Sequence, residues 1–214
     1  MARSRQQSFR IGRPGKGFRR LFGLDRSGPP PRQTRPGQPL RPWTLPNLVG
    51  YLRLAALPVF LAIAFSSGDG RDPAAAAIYF AVAIGDYVDG FVARATGQYS
   101  RMGALLDPIV DRAAVLCGAA VCWHFELLPR WALAALAARE LITVALAQIA
   151  LRRGGELEIN WIGRIAVWPV MAAIFLAMIT PSVVWDVTLV VGVALAVVGT
   201  VAYVRTGLRE QAAT

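Results

Sequence analysis

The chain has 214 residues, 55% of them hydrophobic, with a mean hydropathy of +0.45, which is more apolar material than a soluble domain of this size can bury. Its net charge of +10 is confined to residues 1–41, where eleven Lys/Arg stand against one acid, while the rest of the chain balances twelve bases with twelve acids. This distribution excludes a nucleic-acid-binding domain and directs the reading to an integral membrane protein with a basic tail.

In chain order, residues 1–41 mix Arg with Gly, Pro, Gln and Ser, including Pro29, Pro30 and Pro31, and lack apolar periodicity. They read as a disordered basic tail that fixes topology or attracts anionic lipid heads. The tail has no short apolar core with a cleavage site, so it is not read as a signal peptide. Six apolar stretches follow, at about 47–67, 74–94, 104–125, 131–151, 164–181 and 183–204, each close to the roughly 20 residues needed to span a bilayer. The expected fold is all-α, with six transmembrane helices in a bundle over residues 42–205 and a short C-terminus at 206–214. The last two spans, joined through Thr180, Pro181 and Ser182, predict a hairpin, with Trp168, Gly192 and Gly199 as packing positions.

Six spans place both termini on one side, and the positive-inside rule makes that side the cytoplasm of a cell-membrane, multi-pass protein. Arg71 and Arg130 fall in the predicted outer loops, whereas Arg94, Arg101, Arg152, Arg153, Arg164, Arg205 and Arg209 fall at inner ends. Trp123, Trp131 and Trp185 mark the outer boundary, and Trp43 and Trp161 the inner one.

Carboxylates inside apolar spans are costly and rare, so Asp86, Asp89, Asp107 and Asp111 dominate the functional reading. Asp86 and Asp89 are spaced i, i+3 near the inner end of span two, and Asp107 and Asp111 i, i+4 near the inner start of span three. Each pair therefore shares a helix face, and a short loop makes the two helices neighbours. Asp111 lies roughly 15 Å along its helix from Arg101, which calls for a polar cleft open to the cytoplasm. Four converging carboxylates need cations to stay ionised. Cys117 and Cys122 form no disulfide framework, and His124 is the single histidine, so the metal would be one held by oxygen: a pair of Mg²⁺ ions, or Mn²⁺, suited to clamping a pyrophosphate. Gly85, Gly90, Ala93 and Gly103 leave room for a ligand, and Arg94 offers a fork of donors to a phosphate.

Residues 86–111, DYVDGFVARATGQYSRMGALLDPIVD, fit D-x-x-D-G-x-x-A-R-x8-G-x3-D-x3-D at every fixed position, and so the chain resembles the CDP-alcohol phosphotransferases over about residues 42–205. That resemblance implies a homodimeric membrane enzyme that transfers a phosphatidyl or similar group from a CDP-linked donor to an alcohol and releases CMP. It makes Asp86, Asp89 and Asp107 metal ligands, with Asp111 near the second metal and acting as general base. Gly90, Arg94 and Gly103 would line the nucleotide pocket. The segment LPNLVGYLRL (45–54) is similar to the family's first-span entry, P-N-x-x-T-x-x-R, retaining Pro46, Asn47 and Arg53 with Gly50 where Thr is frequent; it adds Asn47 to the nucleotide-binding set.

For the acceptor, P-N-L-x-G-Y-x-R looks like phosphatidylinositol synthases, whereas ARELITVAL (138–146) and NWIGRIA (160–166) resemble phosphatidylglycerophosphate synthases. The second resemblance implies CDP-diacylglycerol as donor and glycerol 3-phosphate as acceptor, with Arg139, Arg152, Arg153 and Arg164 able to bind its phosphate. Phosphatidylglycerol, inositol or inositol phosphate are the alternative acceptors. Arg139 with Glu140 also admits a structural reading, an intramembrane ion pair, and Arg112 that of a partner for a carboxylate. From a different class, an ion or proton transporter would use the acidic cluster as its pathway, but the chain shows no internal repeat and no second set of charges leading to the outer face.

Overall fold

The computed structural model describes Thr34 and residues 37–152 and 161–212. Most of the basic tail and Arg153 lie outside the described residues. Six helices follow in order: α1 (Leu45–Ser66), α2 (Pro73–Thr96), α3 (Arg101–His124), α4 (Arg130–Arg152), α5 (Trp161–Ala177) and α6 (Val183–Ala212). All six expected stretches are helical, and α6 runs on to Ala212 through most of the expected C-terminal segment.

Local chemistry sets the helix ends. Thr44, Asp72 and Ser100 are N-caps whose side chains accept from Asn47 N, from Ala74 N and Ala75 N, and from Gly103 N respectively. Pro46 and Pro73 stand in the first turns of α1 and α2, where a missing N–H costs nothing. Gly97, at φ +67°, ends α2 in the left-handed conformation that glycine adopts without a Cβ clash.

Among the described residues the regular structure is helical, and the protein is membrane-embedded. The apolar runs of α1, α2 and Val183–Val201 of α6 are long enough and apolar enough to cross a bilayer, yet only 28%, 33% and 28% of these windows are buried inside the protein. The remaining apolar surface, including Leu52, Val59, Phe80, Ile84, Ile109, Leu141, Val187 and Val198, points outward, an arrangement stable in lipid and not in water. Trp168 belongs to this outer surface, at 67% exposure, and is not the packing residue expected from its span. Gly192 is one: a Cβ there would come within 2.8 Å of the Val170 side chain, so its absence lets α6 close on α5 in the expected hairpin.

The apolar core fills the end of the bundle away from the aspartates. Phe60, Tyr79, Val121, Cys122, Leu133, Leu136, Ile174, Met178 and Leu189 are buried there, and Cys122 serves as a packing residue. The Tyr79 ring packs on Phe60 at 5.3 Å, but its hydroxyl is buried with no hydrogen-bond partner among the described residues. Tyr79→Phe is therefore expected to raise stability by about 1 kcal/mol, since an unsatisfied buried hydroxyl is removed and the ring retained. Thermal unfolding in detergent reads this directly, and a lower midpoint would show that the hydroxyl is satisfied.

Candidate active site

The polar end of the bundle is formed where α1 begins, α2 ends and α3 begins. The link from Gly97 to Ser100 is too short for anything but a reversal, so α2 and α3 lie antiparallel. Asp86 and Asp89 on the last turns of α2 thus meet Asp107 and Asp111 on the first half of α3. Asp89 is buried, Asp107 and Asp111 are half-buried, and Asp86 is exposed. Asp107 stands within charge–charge range of Asp86, Asp89 and Asp111. Pro108 directly follows Asp107 inside α3 and removes one main-chain hydrogen bond from the helix at the level of the cluster.

Arg53 of α1 is 4% exposed and lies against three of the four carboxylates, Asp86, Asp89 and Asp111. Its Nη1 donates to Asp89 Oδ2 at 2.9 Å and its Nη2 to Asp111 Oδ1 at 2.6 Å, while Asp86 Oδ1 lies 3.9 Å from Nη1. The third donor, Nε, reaches the carbonyl of Val82 at 2.9 Å. Gly85 makes the seat: a Cβ at that position would fall 2.5 Å from Cδ and 2.8 Å from Cγ of Arg53. The guanidinium thus joins three helices through one fork of donors.

No three His, Cys, Asp or Glu side chains among the described residues stand together as a ready-made metal cage. The donor set itself is of one chemical kind. Four carboxylates, with no thiolate or imidazole among them, match the hard-oxygen preference of Mg²⁺ or Mn²⁺.

The expected nucleotide-pocket residues sit at the same end. Gly90 lies on α2 beneath Arg94, whose Nη1 would be 3.1 Å from a Cβ at Gly90, so the arginine folds back over the glycine. Gly103 opens α3 against Asn47, so closely that a Cβ there would lie 2.8 Å from Asn47 Oδ1. Asn47 itself is buried and its polar groups are used by the protein. Its Nδ2 donates to the carbonyls of Arg41 and Pro42, both at 3.0 Å, and its Oδ1 accepts from Ser100 Oγ at 2.8 Å. The amide of Met102 adds a bond to the carbonyl of Leu40 at 3.1 Å. These contacts clasp the segment before α1 onto the start of α3. Gly50, where the resemblance leads one to look for threonine, faces Leu106 of α3 so closely that a Cβ would stand 2.6 Å from its Cδ2.

The expected acceptor arginines divide. Arg139, in the middle of α4, pairs with Glu140 through Nη1 and donates from Nε to Thr200 Oγ1 of α6 at 3.3 Å. Arg112, next to Asp111, lies 3.9 Å from Glu140 Oε2 and donates to the Glu140 carbonyl at 3.5 Å. Both structural readings of these residues therefore match the contacts seen: Glu140 is a buried carboxylate shared by two arginines. Arg152 ends α4 and Arg164 lies in α5, but their side chains are outside the described residues.

The family model for CDP-alcohol phosphatidyltransferases matches residues 43–201, which contain the entire aspartate cluster, Arg53 and all six helix starts from α1 onward. The chain belongs to this family. It is 34% identical over 167 residues to a cardiolipin synthase (CMP-forming) of Streptomyces coelicolor, covering 75% of this chain and 77% of the relative. It is 28% identical to the CDP-diacylglycerol–glycerol-3-phosphate 3-phosphatidyltransferase of Bacillus subtilis (62% and 75% covered) and 30% identical to that of Escherichia coli K12 (66% and 80% covered). Family membership makes the chain a phosphatidyltransferase, and the four converging aspartates lie inside the matched stretch.

Proposed function

We propose that the protein transfers the phosphatidyl group of CDP-diacylglycerol to the hydroxyl of a small alcohol phosphate, glycerol 3-phosphate, at the inner face of the cell membrane, with CMP as the second product. The convergence of four signature aspartates from α2 and α3 on one polar end of an otherwise apolar bundle carries this reading. All six helices span the bilayer, both termini are cytoplasmic, and the polar end is a cleft open to the cytoplasm. The acyl chains of the donor reach it sideways from the inner leaflet, and two copies of the chain associate as a homodimer.

Asp86, Asp89, Asp107 and Asp111 would hold two Mg²⁺ ions, or Mn²⁺, which when bound polarise the pyrophosphate and offset charge on the departing CMP. Gly90, Arg94 and Gly103 would receive the CDP moiety, with Asn47 buttressing Gly103 from behind. Asp111 takes the proton of the acceptor hydroxyl. The hydroxyl oxygen forms a bond to the lipid-bearing phosphorus as the bond from that phosphorus to the bridging pyrophosphate oxygen breaks, and no covalent nucleophile is required. Arg152, Arg153 and Arg164 are the arginines left to meet the acceptor phosphate, since Arg139 is committed to Glu140 and Thr200.

That commitment of Arg139, together with the 34% identity to a cardiolipin synthase, favours a second acceptor, phosphatidylglycerol. Purified protein in detergent, given CDP-diacylglycerol and Mg²⁺ with glycerol 3-phosphate, phosphatidylglycerol, inositol 1-phosphate, inositol or serine in separate reactions, distinguishes them by CMP release and lipid product. Glycerol 3-phosphate is expected to support turnover, and chelation with EDTA to abolish it until Mg²⁺ or Mn²⁺ is restored. Turnover with phosphatidylglycerol alone moves the reading to its alternative. Absence of CMP with every acceptor in folded protein overturns the proposed reaction.

A further inference from the structure

The four aspartates bring four negative charges together at the polar end of the bundle, and Arg53 is a cation seated against three of them. Its guanidinium is always charged and presents a rigid fork, so it hydrogen-bonds two carboxylates at once. Nothing about its seat is incidental. Gly85 supplies the space, Val82 takes the third donor, and Asp89 and Asp111 take the other two. The oxygens that Arg53 holds, Asp89 Oδ2 and Asp111 Oδ1, belong to the set proposed above to hold divalent metal, and on that reading the following rests.

A divalent ion bound by those oxygens would stand only a few ångströms from a guanidinium bonded to the same atoms, and two cations at that separation repel. We infer that Arg53 is the built-in counter-cation of the metal-free site: it keeps Asp89 and Asp111 paired and in place until divalent metal arrives, and loading of the metal proceeds by exchange against these two hydrogen bonds. The residue thereby opposes metal binding while stabilising the unloaded protein. A purely structural arginine would do only the second.

The two effects separate in a titration of the purified full-length protein with Mn²⁺, followed by electron paramagnetic resonance of the free ion, beside thermal unfolding in EDTA. Arg53→Met is expected to lower the metal-free unfolding midpoint and to tighten Mn²⁺ binding on the order of tenfold, because a unit positive charge next to the ions is removed. Gly85→Ala retains the arginine but pushes it off its seat, and is expected to tighten Mn²⁺ binding in the same direction. That variant decides the matter should Arg53→Met fail to fold. Wild-type protein that binds Mn²⁺ with both variants unchanged or weaker overturns the counter-cation role and leaves the metal site standing. Wild-type protein that binds no Mn²⁺ overturns both.

Discussion

Asp111→Asn is expected to abolish measurable turnover, lowering kcat by about 10²- to 10⁴-fold, while leaving CDP binding largely intact. The substitution preserves shape and one acceptor oxygen. Arg53 Nη2 can keep its bond at the position now filled by Oδ1, so the tie between α1 and α3 survives. What disappears is the capacity to take a proton from the acceptor hydroxyl. Asp111 is the carboxylate set deepest along α3 from Arg101, and it remains partly open at 39% side-chain exposure, which a proton acceptor facing a substrate requires. CMP release measured beside calorimetric CDP binding tests both halves, and full activity in the variant would remove Asp111 as general base.

Glu140→Ala carries the largest expected effect on stability, a loss of about 3–5 kcal/mol. Glu140 is 6% exposed and is shared by Arg139 on its own helix and Arg112 on α3. Removing it leaves two guanidinium groups facing each other in the bundle without their common anion, and the bond from Arg139 to Thr200 cannot compensate a charge. Denaturation in detergent gives the size of the loss. An unchanged midpoint with a raised KM for the acceptor would return Arg139 to the acceptor site, because the ion pair would then be dispensable to the fold.

The first three helices were readable because each is a long apolar run punctuated by its own cap: Thr44 before Pro46, Asp72 before Pro73, and Gly97 followed by Ser100. The aspartate cluster was readable for a related reason, since i, i+3 and i, i+4 spacings on two helices joined by a short link leave little freedom in where the side chains meet. Arg53 was visible in the sequence as a motif residue in an apolar helix, but its role was not. Its partners lie 36 and 58 residues away, and no local periodicity encodes which distant carboxylates a guanidinium will choose. The signal that would have found it is Gly85, a residue without a side chain directly beside Asp86. Asn47 shows the same limit. Its place beside the site was legible, whereas its use in clasping Arg41, Pro42 and Ser100 depends on three-dimensional neighbours. The pairing of Arg139 with Thr200, 61 residues apart, belongs to this class as well.

The seat of Arg53 also constrains how the chain is made. During synthesis α1 precedes the other five helices, and it carries a fixed positive charge that costs about 2.5–3.5 kcal/mol at the centre of an isolated span. Relief comes in two instalments, first from Asp89 when α2 emerges and then from Asp111 when α3 does. A nascent chain halted between these two helices holds an arginine whose charge is balanced by Asp89 but whose Nη2 still lacks its partner. The first three helices are therefore expected to insert together, since Arg53 has both of its carboxylate partners only once α3 is in place.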